Sequence, residues 1–314
     1  MPSQVEAKRT ALITGATGQL GRQCMRVFSD PVANWNVVGT GYSRANPPAI
    51  LKVDLGNEKE VVELLEDVKP DVVVHCAAER FPDRCSADPD GAKRLNVSAT
   101  TTLARECAAR NILLIYISTD YVFPGRPGEA PYEASSATSP PNFYGETKLA
   151  GEEAVLGGGG KAVVVLRVPV LYGEVEQNKE SAVNVLLDNV VSGKKGEMDH
   201  WSVRYPTNTA DVARVIKDIA ERYLDAKEGE ELPKILQFTS EERMTKYEIC
   251  KTLAEIAGLP CDHVIPNAEN DPNAAVQRPY DCHLSTKELK NLGIDVSTVP
   301  FKDWWQRHMR AYKK

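Results

Sequence analysis

Three glycines within seven residues, directly after an apolar run, restrict the fold of this chain more than any other feature. The run at residues 10–14 leads into the glycine segment, and an amphipathic stretch follows it to residue 28. Glycine is needed where a strand turns tightly into a helix, where backbone approaches a pyrophosphate and where helix and strand pack closely. The order of strand, loop and helix predicts a dinucleotide site at a first β-α crossover. The residues predicted to hold the dinucleotide are Gly15, Thr17, Gly18, Gln19, Leu20 and Gly21.

Short β-branched runs alternate with amphipathic, charged segments through the first half of the chain. This alternation is typical of β-α-β units, whose strands pair in parallel. It predicts an α/β fold with a doubly wound parallel sheet of the Rossmann type. The strands are predicted near residues 10–14, 36–41, 50–53, 71–76, 113–118 and 162–167, and two of the intervening helices near 58–68 and 92–110.

The pattern changes after Pro169, where helices, loops and prolines are mixed. We expect helices near residues 181–192, 211–224 and 245–257 and a strand near 235–239. These elements predict a smaller α/β lobe that faces the substrate. The expected domains are residues 1–169, the dinucleotide-binding Rossmann domain, and residues 170–314, the substrate lobe, with residues 205–240 woven back into the first domain.

Composition excludes several classes of function. The 314 residues carry a formal net charge of −6, whereas nucleic-acid-binding proteins usually have a basic excess. No apolar run reaches the roughly 18 residues of a membrane helix, and no apolar signal segment precedes the first strand, so we expect a cytoplasmic protein without a membrane partner. Seven cysteines without a C-x-x-C pair indicate reduced thiols, and we expect neither a disulfide framework nor a metal site.

The end of the second predicted strand distinguishes between the two nicotinamide dinucleotides. A carboxylate there binds the ribose 2′-hydroxyl of NAD, whereas an arginine accommodates the 2′-phosphate of NADP. The segment has Ser43 and Arg44 and no carboxylate, so it favours NADP(H). Arg44 as a solvated loop residue is the alternative, since exposed arginines are common. After the third strand, Asp54 and Leu55 are placed to bracket the adenine, unless Asp54 caps the next helix.

Tyr144 and Lys148 are four residues apart at the start of the helix predicted after the fifth strand. That spacing puts both side chains on one helix face, with the ammonium near the phenol. A positive charge there is expected to lower the pKa of the tyrosine, which suits it to act as a general acid during hydride transfer to a carbonyl. Thr119, at the end of the fifth strand, would hydrogen-bond the carbonyl oxygen and help to hold Tyr144. A chance pairing on a helix face is the alternative.

Several longer segments resemble those of extended short-chain dehydrogenases/reductases. Residues 116–123, the helix start with Tyr144 and Lys148, and residues 277–279 resemble the dTDP-4-dehydrorhamnose reductases. Residues 75–80, 171–176, 198–201 and 244–248 are closer to the β subunits of methionine adenosyltransferase II, which share that fold family. The resemblance spans nearly the whole chain. It departs at the carboxyl end, where the β subunits are expected to have a longer tail that docks into the catalytic subunit.

The resemblance implies roles for individual residues. Thr119, Tyr144 and Lys148 correspond to the catalytic triad, and Asn96 to a helper near the active site and cofactor. Trp201 is implied at the substrate, but a half-buried indole in the core is an equally good interpretation of this residue. The further residues implied at the cofactor are Ala77, Ala78, Arg80, Val168 and Pro169, together with Tyr144 and Lys148 of the triad. Those implied at the substrate are Ser118, Thr119, Val122, Phe123, Trp201, Gln277 and Arg278.

Two functions follow from the resemblance, and both stay open. In the first, the protein is an NADPH-dependent oxidoreductase that reduces the 4-keto group of a nucleotide-linked 6-deoxyhexose. In the second, it is an NADP-binding regulatory β subunit that assembles with the catalytic subunit of methionine adenosyltransferase. The intact triad favours the reductase, whereas the closer segments favour the regulator. A nucleotide sugar would be the small-molecule partner, and a monomer or a homodimer is expected.

Overall fold

A computed structural model describes residues 8–158 and 163–310 of the chain. Ala162, the first residue of the sixth predicted strand, lies outside these residues. The strands are β1 Arg9–Thr14, β2 Trp35–Gly41, β3 Ile50–Lys52, β4 Val72–His75, β5 Leu113–Thr119, β6 Val163–Val168, β7 Leu171–Tyr172, β8 Gly196–Asp199, β9 Thr207–Asn208, β10 Ile235–Gln237 and β11 Val264–Asn267.

Within the described residues, seven parallel strands form one sheet in the order β3-β2-β1-β4-β5-β6-β10. Every residue of β4 and β6 is buried, as expected for apolar strands that are covered on both faces. The predicted doubly wound parallel sheet is therefore confirmed.

Helices cover both faces of this sheet. Their bounds are α1 Gln19–Phe28, α2 Glu58–Val68, α3 Pro82–Ala87, α4 Pro89–Lys93, α5 Ala99–Ala109, α6 Phe143–Gly157, α7 Val185–Ser192, α8 Thr209–Leu224, α9 Lys246–Ala257, α10 Lys287–Asn291 and α11 Phe301–His308. One face packs against α1 and α8, and the other against α2, α5 and α6. The strand order reverses between β1 and β4, so a crevice opens at the carboxyl ends of these two strands.

The helix predicted over residues 92–110 is interrupted. A π-helical turn at Arg94–Ser98 separates α4 from α5. Asn96 lies in this turn, where its amide bonds both backbone groups of Glu79 and the hydroxyl of Thr147. The wider turn thus directs a buried amide toward the loop after β4 and toward α6, in keeping with the frequent use of π turns near functional sites.

The chain beyond residue 170 forms a second core beside the sheet. Tyr172 and Trp305 are buried there between α7, α9 and α11. Two short parallel pairs, β8 with β11 and β7 with β9, complete this lobe. β10 leaves the lobe and pairs with β6, so it extends the main sheet. Among the described residues, no helix is both long enough and apolar enough to cross a membrane.

Candidate functional site

A cavity of about 570 Å³ follows the carboxyl edge of the sheet from the glycine loop to the lobe. It lies where the strand order reverses, the usual ligand position in open α/β sheets. Most of the residues predicted for the cofactor line it. They are Gly15, Thr17, Gly18, Gln19, Leu20, Gly21, Ser43, Arg44, Asp54, Leu55, Ala77, Ala78, Arg80, Tyr144, Lys148, Val168 and Pro169.

Two glycines of the loop have no room for a side chain. Gly15 has φ +64°, and a Cβ there would lie 2.8 Å from the Ala77 nitrogen. A Cβ on Gly21 would lie 2.2 Å from the Gly15 oxygen. The tight approach brings β1, α1 and the end of β4 together around the cavity, which is the role that the sequence predicts for these glycines.

The start of α1 is suited to an anion. Gly18 caps the helix without a side-chain hydrogen bond, and the first turn of α1 holds no acidic residue. The amide nitrogen Nε2 of Gln19 is buried and, among the described residues, has no hydrogen-bond partner. Since Gln19 lines the cavity, the helix start presents free donors and the positive end of the helix dipole to whatever enters.

The loop after β2 places Arg44 in the lining of the cavity. Its side chain is 44% exposed and lies 2.6 Å from a carboxylate oxygen of Glu180. Arg44 is therefore ion-paired and is not a free solvated arginine. Asp54 accepts a hydrogen bond from the Gly56 nitrogen, whereas Asn57 caps α2. The alternative of Asp54 as the helix cap is wrong.

The helix α6 carries Tyr144 and Lys148 into the cavity. Asn142 caps this helix through a hydrogen bond from the Gly145 nitrogen, which fixes where the first turn begins. Burial raises the pKa of Tyr144 well above its usual range, although a hydrogen bond with Thr119 lowers it. The structure thus brings the three predicted triad residues to one wall of the cavity.

The expected lowering of the Tyr144 pKa by Lys148 is wrong for this structure. The ammonium of Lys148 lies over the Tyr116 ring, 4.0 Å from its centroid. Burial lowers the pKa of Lys148 to about 7, although the nearby Glu152 carboxylate raises it. Burial of both groups disfavours their charged forms, and this effect outweighs the attraction between ammonium and phenolate that the spacing of the two residues predicts.

Asp120 is a titratable residue of the cavity that the predicted site does not include. Its carboxylate accepts a hydrogen bond from the Thr119 hydroxyl at 3.0 Å. Burial raises the pKa of Asp120 to about 7, against the hydrogen bond from Thr119 and the charge of Arg204. Its place directly after Thr119 is the sequence signal that identifies it, because the end of a parallel strand faces the crevice.

Two further cations of the cavity, Arg204 and Lys246, come from the lobe. Arg204 is nearly buried and pairs with Asp199 at 2.8 Å. Burial and the charges of Arg204 and Arg278 lower the pKa of Lys246 to about 8. With the predicted residue Arg278, which pairs with Asp83 at 2.9 Å, they bring three cationic side chains to the lobe side of the cavity. Local sequence patterns offer no signal for this grouping, which depends on how the lobe folds over the sheet.

A second cavity of about 370 Å³ adjoins the first, and Lys246 and Arg278 line both. Trp201 and Gln277 line the second cavity only. The indole of Trp201 is half-buried beside the Tyr280 ring, so it both packs and faces a cavity. The Gln277 side-chain nitrogen donates to three carbonyls of its own loop, at Asp271, Pro272 and Ala274.

Three other predicted residues lie outside the lining of the cavity. Val122 and Phe123 are 0% exposed and pack against Tyr132, so their expected contact with substrate is corrected to a core position. The amide of Asn96 is occupied by Glu79 and Thr147, and Asn96 lies outside the cavity lining. These three side chains pack or hydrogen-bond behind the residues that line the cavity.

Ser118 is also predicted at the substrate. It lines the cavity, but its hydroxyl donates to the buried carboxylate of Glu152 at 2.5 Å. That hydrogen bond joins the end of β5 to α6, so Ser118 holds together two elements that carry the triad.

Comparison with known proteins places this geometry among related chains. The family described as "RmlD substrate binding domain" matches residues 9–312. Methionine adenosyltransferase 2 subunit beta of Rattus norvegicus is 45% identical over 296 residues, 94% of this chain and 85% of the relative. A dTDP-4-dehydrorhamnose reductase of Mycolicibacterium smegmatis is 28% identical over 305 residues, 93% of this chain and 82% of the relative.

Solved structures share the fold. The crystal structure of dTDP-4-dehydrorhamnose reductase from Bacillus anthracis in complex with NADP has a TM-score of 0.80 to this chain. The two are 22% identical, and the superposition covers 96% of this chain and 99% of that one. A second dTDP-4-dehydrorhamnose reductase structure, from Clostridium acetobutylicum, gives the same TM-score of 0.80 at 24% identity, over 96% of this chain and 98% of that one.

Proposed function

The chain belongs to the RmlD substrate binding domain family, and on that premise we propose that it is an NADP(H)-dependent reductase of a carbonyl on a nucleotide-linked sugar. One observation carries the proposal. A single cavity is lined by the glycine loop, by Tyr144, Lys148 and Thr119, and by the cations of the lobe. Dinucleotide, proton donor and anionic substrate would therefore meet in one continuous space.

The residues at the glycine loop fit a dinucleotide. The uncapped start of α1 and the Nε2 of Gln19, which has no partner among the described residues, are donors for a pyrophosphate, and the absence of side chains at Gly15 and Gly18 lets it approach the backbone. Arg44 and Ser43 lie at the end of β2, where a 2′-phosphate would be bound, which supports NADP(H) over NAD(H). When bound, NADP(H) supplies or accepts hydride.

Tyr144 is the proton donor in this proposal. Its hydroxyl is protonated at neutral pH, since burial raises its pKa further above the ordinary value, so it can donate a proton to the oxygen of a reduced carbonyl. Thr119 holds the phenol through the hydrogen bond between the two hydroxyls and can direct the carbonyl oxygen toward it. The ammonium of Lys148 shares the cavity and favours the negative charge that develops there.

The lobe cations support an anionic substrate. Arg204, Lys246 and Arg278 line the cavity beyond Tyr144, and their guanidinium and ammonium groups match the diphosphate of a nucleotide sugar. A 4-keto-6-deoxyhexose nucleotide has both the carbonyl and the diphosphate that these walls require. The relative from Mycolicibacterium smegmatis bears the name of a reductase of this substrate class.

NADPH consumption tests the proposal. The protein is mixed with NADPH and dTDP- or UDP-4-dehydro-6-deoxyhexose, and loss of the reduced nicotinamide absorbance is followed. We expect turnover, and a loss of at least about 100-fold in Tyr144→Phe, the range for removal of a general acid. Equal rates in both proteins, or no turnover with either sugar nucleotide, would contradict the reductase.

A second function is favoured by one specific observation, the 45% identity to the rat methionine adenosyltransferase β subunit over 94% of this chain. In this alternative the protein binds a methionine adenosyltransferase catalytic subunit and uses the dinucleotide as a structural ligand. Size-exclusion chromatography of the two proteins together tests it. A shared peak at micromolar concentration supports assembly, and separate elution with and without NADP(H) contradicts it.

A further inference from the structure

The segment Glu174–Glu180, here called the strap, crosses from the lobe to the dinucleotide-binding half of the molecule. Both of its ends are fixed. The Asn184 side-chain nitrogen donates to the Gly173 oxygen at 2.9 Å, and the Ser181 hydroxyl donates to the Leu171 oxygen at 2.9 Å. Asn184 and Ser181 are buried. The strap, which ends in a 3-10 turn at Asn178–Glu180, is therefore held at both ends, and its position over the dinucleotide half depends on contacts made by its own residues.

Glu180 makes the central contact of the strap. One carboxylate oxygen lies 2.6 Å from Arg22 and the other lies 2.6 Å from Arg44. Arg22 also donates to the Thr17 oxygen at 2.7 Å, within the glycine loop. The Glu180 side chain is only 14% exposed. A single carboxylate thus links the glycine loop, through Arg22, to Arg44, the arginine at the position where a 2′-phosphate is expected.

The contact with Glu180 engages only one nitrogen of the Arg44 guanidinium. Its hydrogen bonds to Glu180 and Glu176 within the described chain both involve Nη1. A guanidinium has five N–H donors in a planar fork, so Nη2 and Nε of Arg44 stay available for a second anion. Glu180 therefore fixes the direction of the guanidinium without occupying the edge that binds a phosphate in a bidentate manner.

Charge also permits a phosphate beside the strap. Its three carboxylates lie among Arg22, Arg26 and Arg44, and the Arg80 guanidinium donates to the main-chain oxygen of Glu180. Burial opposes ionisation of Glu180, but Arg22 and Arg44 outweigh it and hold its pKa below the ordinary value. The carboxylate is thus charged at neutral pH, while Arg80 has no carboxylate partner within 4 Å in the described chain.

We propose that Glu180 is a positioning residue for cofactor specificity, because it holds Arg44 in the orientation that binds the 2′-phosphate of NADP(H). This inference rests on the proposed function, since it requires the dinucleotide in the cavity. It assigns to the strap, and not only to the loop after β2, the preference for the phosphorylated cofactor. Removing the Glu180 charge should weaken the binding of NADPH and leave the binding of NADH nearly unchanged, because NADH has no 2′-phosphate.

The test is calorimetric titration of the full-length wild type, Glu180→Gln and Glu174→Gln with NADPH and with NADH. We expect Glu180→Gln to weaken NADPH binding by about tenfold, within the range for a charge-assisted contact, and to change NADH binding by less than about twofold. Glu174→Gln is the matched control. It removes the same charge from the same strap, but its partner Arg26 is exposed and does not line the cavity.

The ratio of NADPH to NADH affinity separates the outcomes, because a general loss of folding would weaken both dinucleotides alike. A ratio that rises in Glu180→Gln would show that the carboxylate competes with the phosphate, and an unchanged ratio would show no role; either overturns the inference. Glu180→Asp keeps the charge on a shorter side chain, so it should lower the ratio of NADPH to NADH affinity less than Glu180→Gln does. If the wild type binds neither dinucleotide, the proposed function itself fails.

Discussion

Glu152 of α6 and Arg167 of β6 form a two-pronged ion pair inside the molecule, with oxygen to nitrogen distances of 2.9 and 2.7 Å. Their side chains are 2% and 3% exposed. Glu152 also accepts the Ser118 hydroxyl and lies one helical turn after Lys148. The pair therefore fixes the triad helix against the two strands whose ends form the reaction wall.

Breaking this pair should destabilise the protein strongly. Arg167→Met leaves a buried carboxylate without its partner, and such losses cost about 3–5 kcal/mol. The free energy of unfolding, from urea titration, measures this. The double variant Glu152→Leu with Arg167→Met removes both charges and should recover much of the loss. A single variant within about 1 kcal/mol of the wild type would show that the ion pair is not needed, since exposed pairs are worth no more than that.

The half-buried carboxyl of Asp120 should make stability depend on pH. Its pKa of about 7 in the folded protein lies above the ordinary value of 3.8, so the folded state binds the proton more tightly. The associated stability is present at low pH and is lost as pH rises from about 4 to 7. Asp120→Asn removes this loss and should become more stable than the wild type by up to about 4 kcal/mol above pH 7.

Thermal unfolding of both proteins between pH 5 and pH 8.5 checks the effect. The difference in melting temperature between Asp120→Asn and the wild type should grow toward neutral pH and then stay constant. A difference that is the same at every pH would show that Asp120 ionises as an exposed carboxyl does.

Local sequence patterns predicted the strands well because buried parallel strands are continuous apolar runs. The strand predicted over residues 71–76 is β4 at Val72–His75, and the helix predicted over 58–68 is α2 at Glu58–Val68. The glycine loop was predictable for the same reason, since its spacing expresses a local steric need. Neither conclusion required knowledge of a distant contact.

The residues on the lobe side of the site could not be predicted from local sequence patterns. Lys246 reaches the cavity because α9 packs beside α7 and β8, and Arg204 is held there by Asp199. Nothing in their spacing reveals this convergence. The π turn at Asn96 could not be predicted for the same reason, because it forms around contacts to Glu79 and Thr147, which are distant in sequence. The resemblance implies Phe123 at the substrate, but a shared sequence segment does not show which side chains after a strand turn into the core.

Lys246 should contribute substrate affinity that depends on pH. Its ammonium has a pKa of about 8, so the positive charge is lost as pH rises through that value. In the proposed reductase, the KM for the sugar nucleotide should therefore rise above pH 8, with little change in kcat. Lys246→Met should raise KM by about tenfold at pH 7, within the range for a charged hydrogen bond, and should flatten its dependence on pH. A KM in the variant that matches the wild type at pH 7 would remove Lys246 from the substrate site.

The glycine loop should not tolerate a methyl group at Gly21. A Cβ there would lie 2.2 Å from the Gly15 oxygen, so Gly21→Ala must displace the backbone that faces the cavity. We expect dinucleotide affinity to fall by at least about tenfold, or 1.4 kcal/mol. Gly157→Ala is the control, because a Cβ at Gly157 meets nothing within 4 Å. Fluorescence titration of both variants with NADPH makes the comparison, and equal affinities would contradict the loop assignment.

The central claim is that the cavity at the sheet edge binds a 2′-phosphorylated nicotinamide dinucleotide. Calorimetric titration of the wild-type protein with NADPH and with NADH tests it most directly. We expect one site per chain and an affinity for NADPH at least about tenfold higher than for NADH, because a guanidinium pairs with the additional phosphate. Equal affinities for the two dinucleotides, or no heat with either, would contradict it.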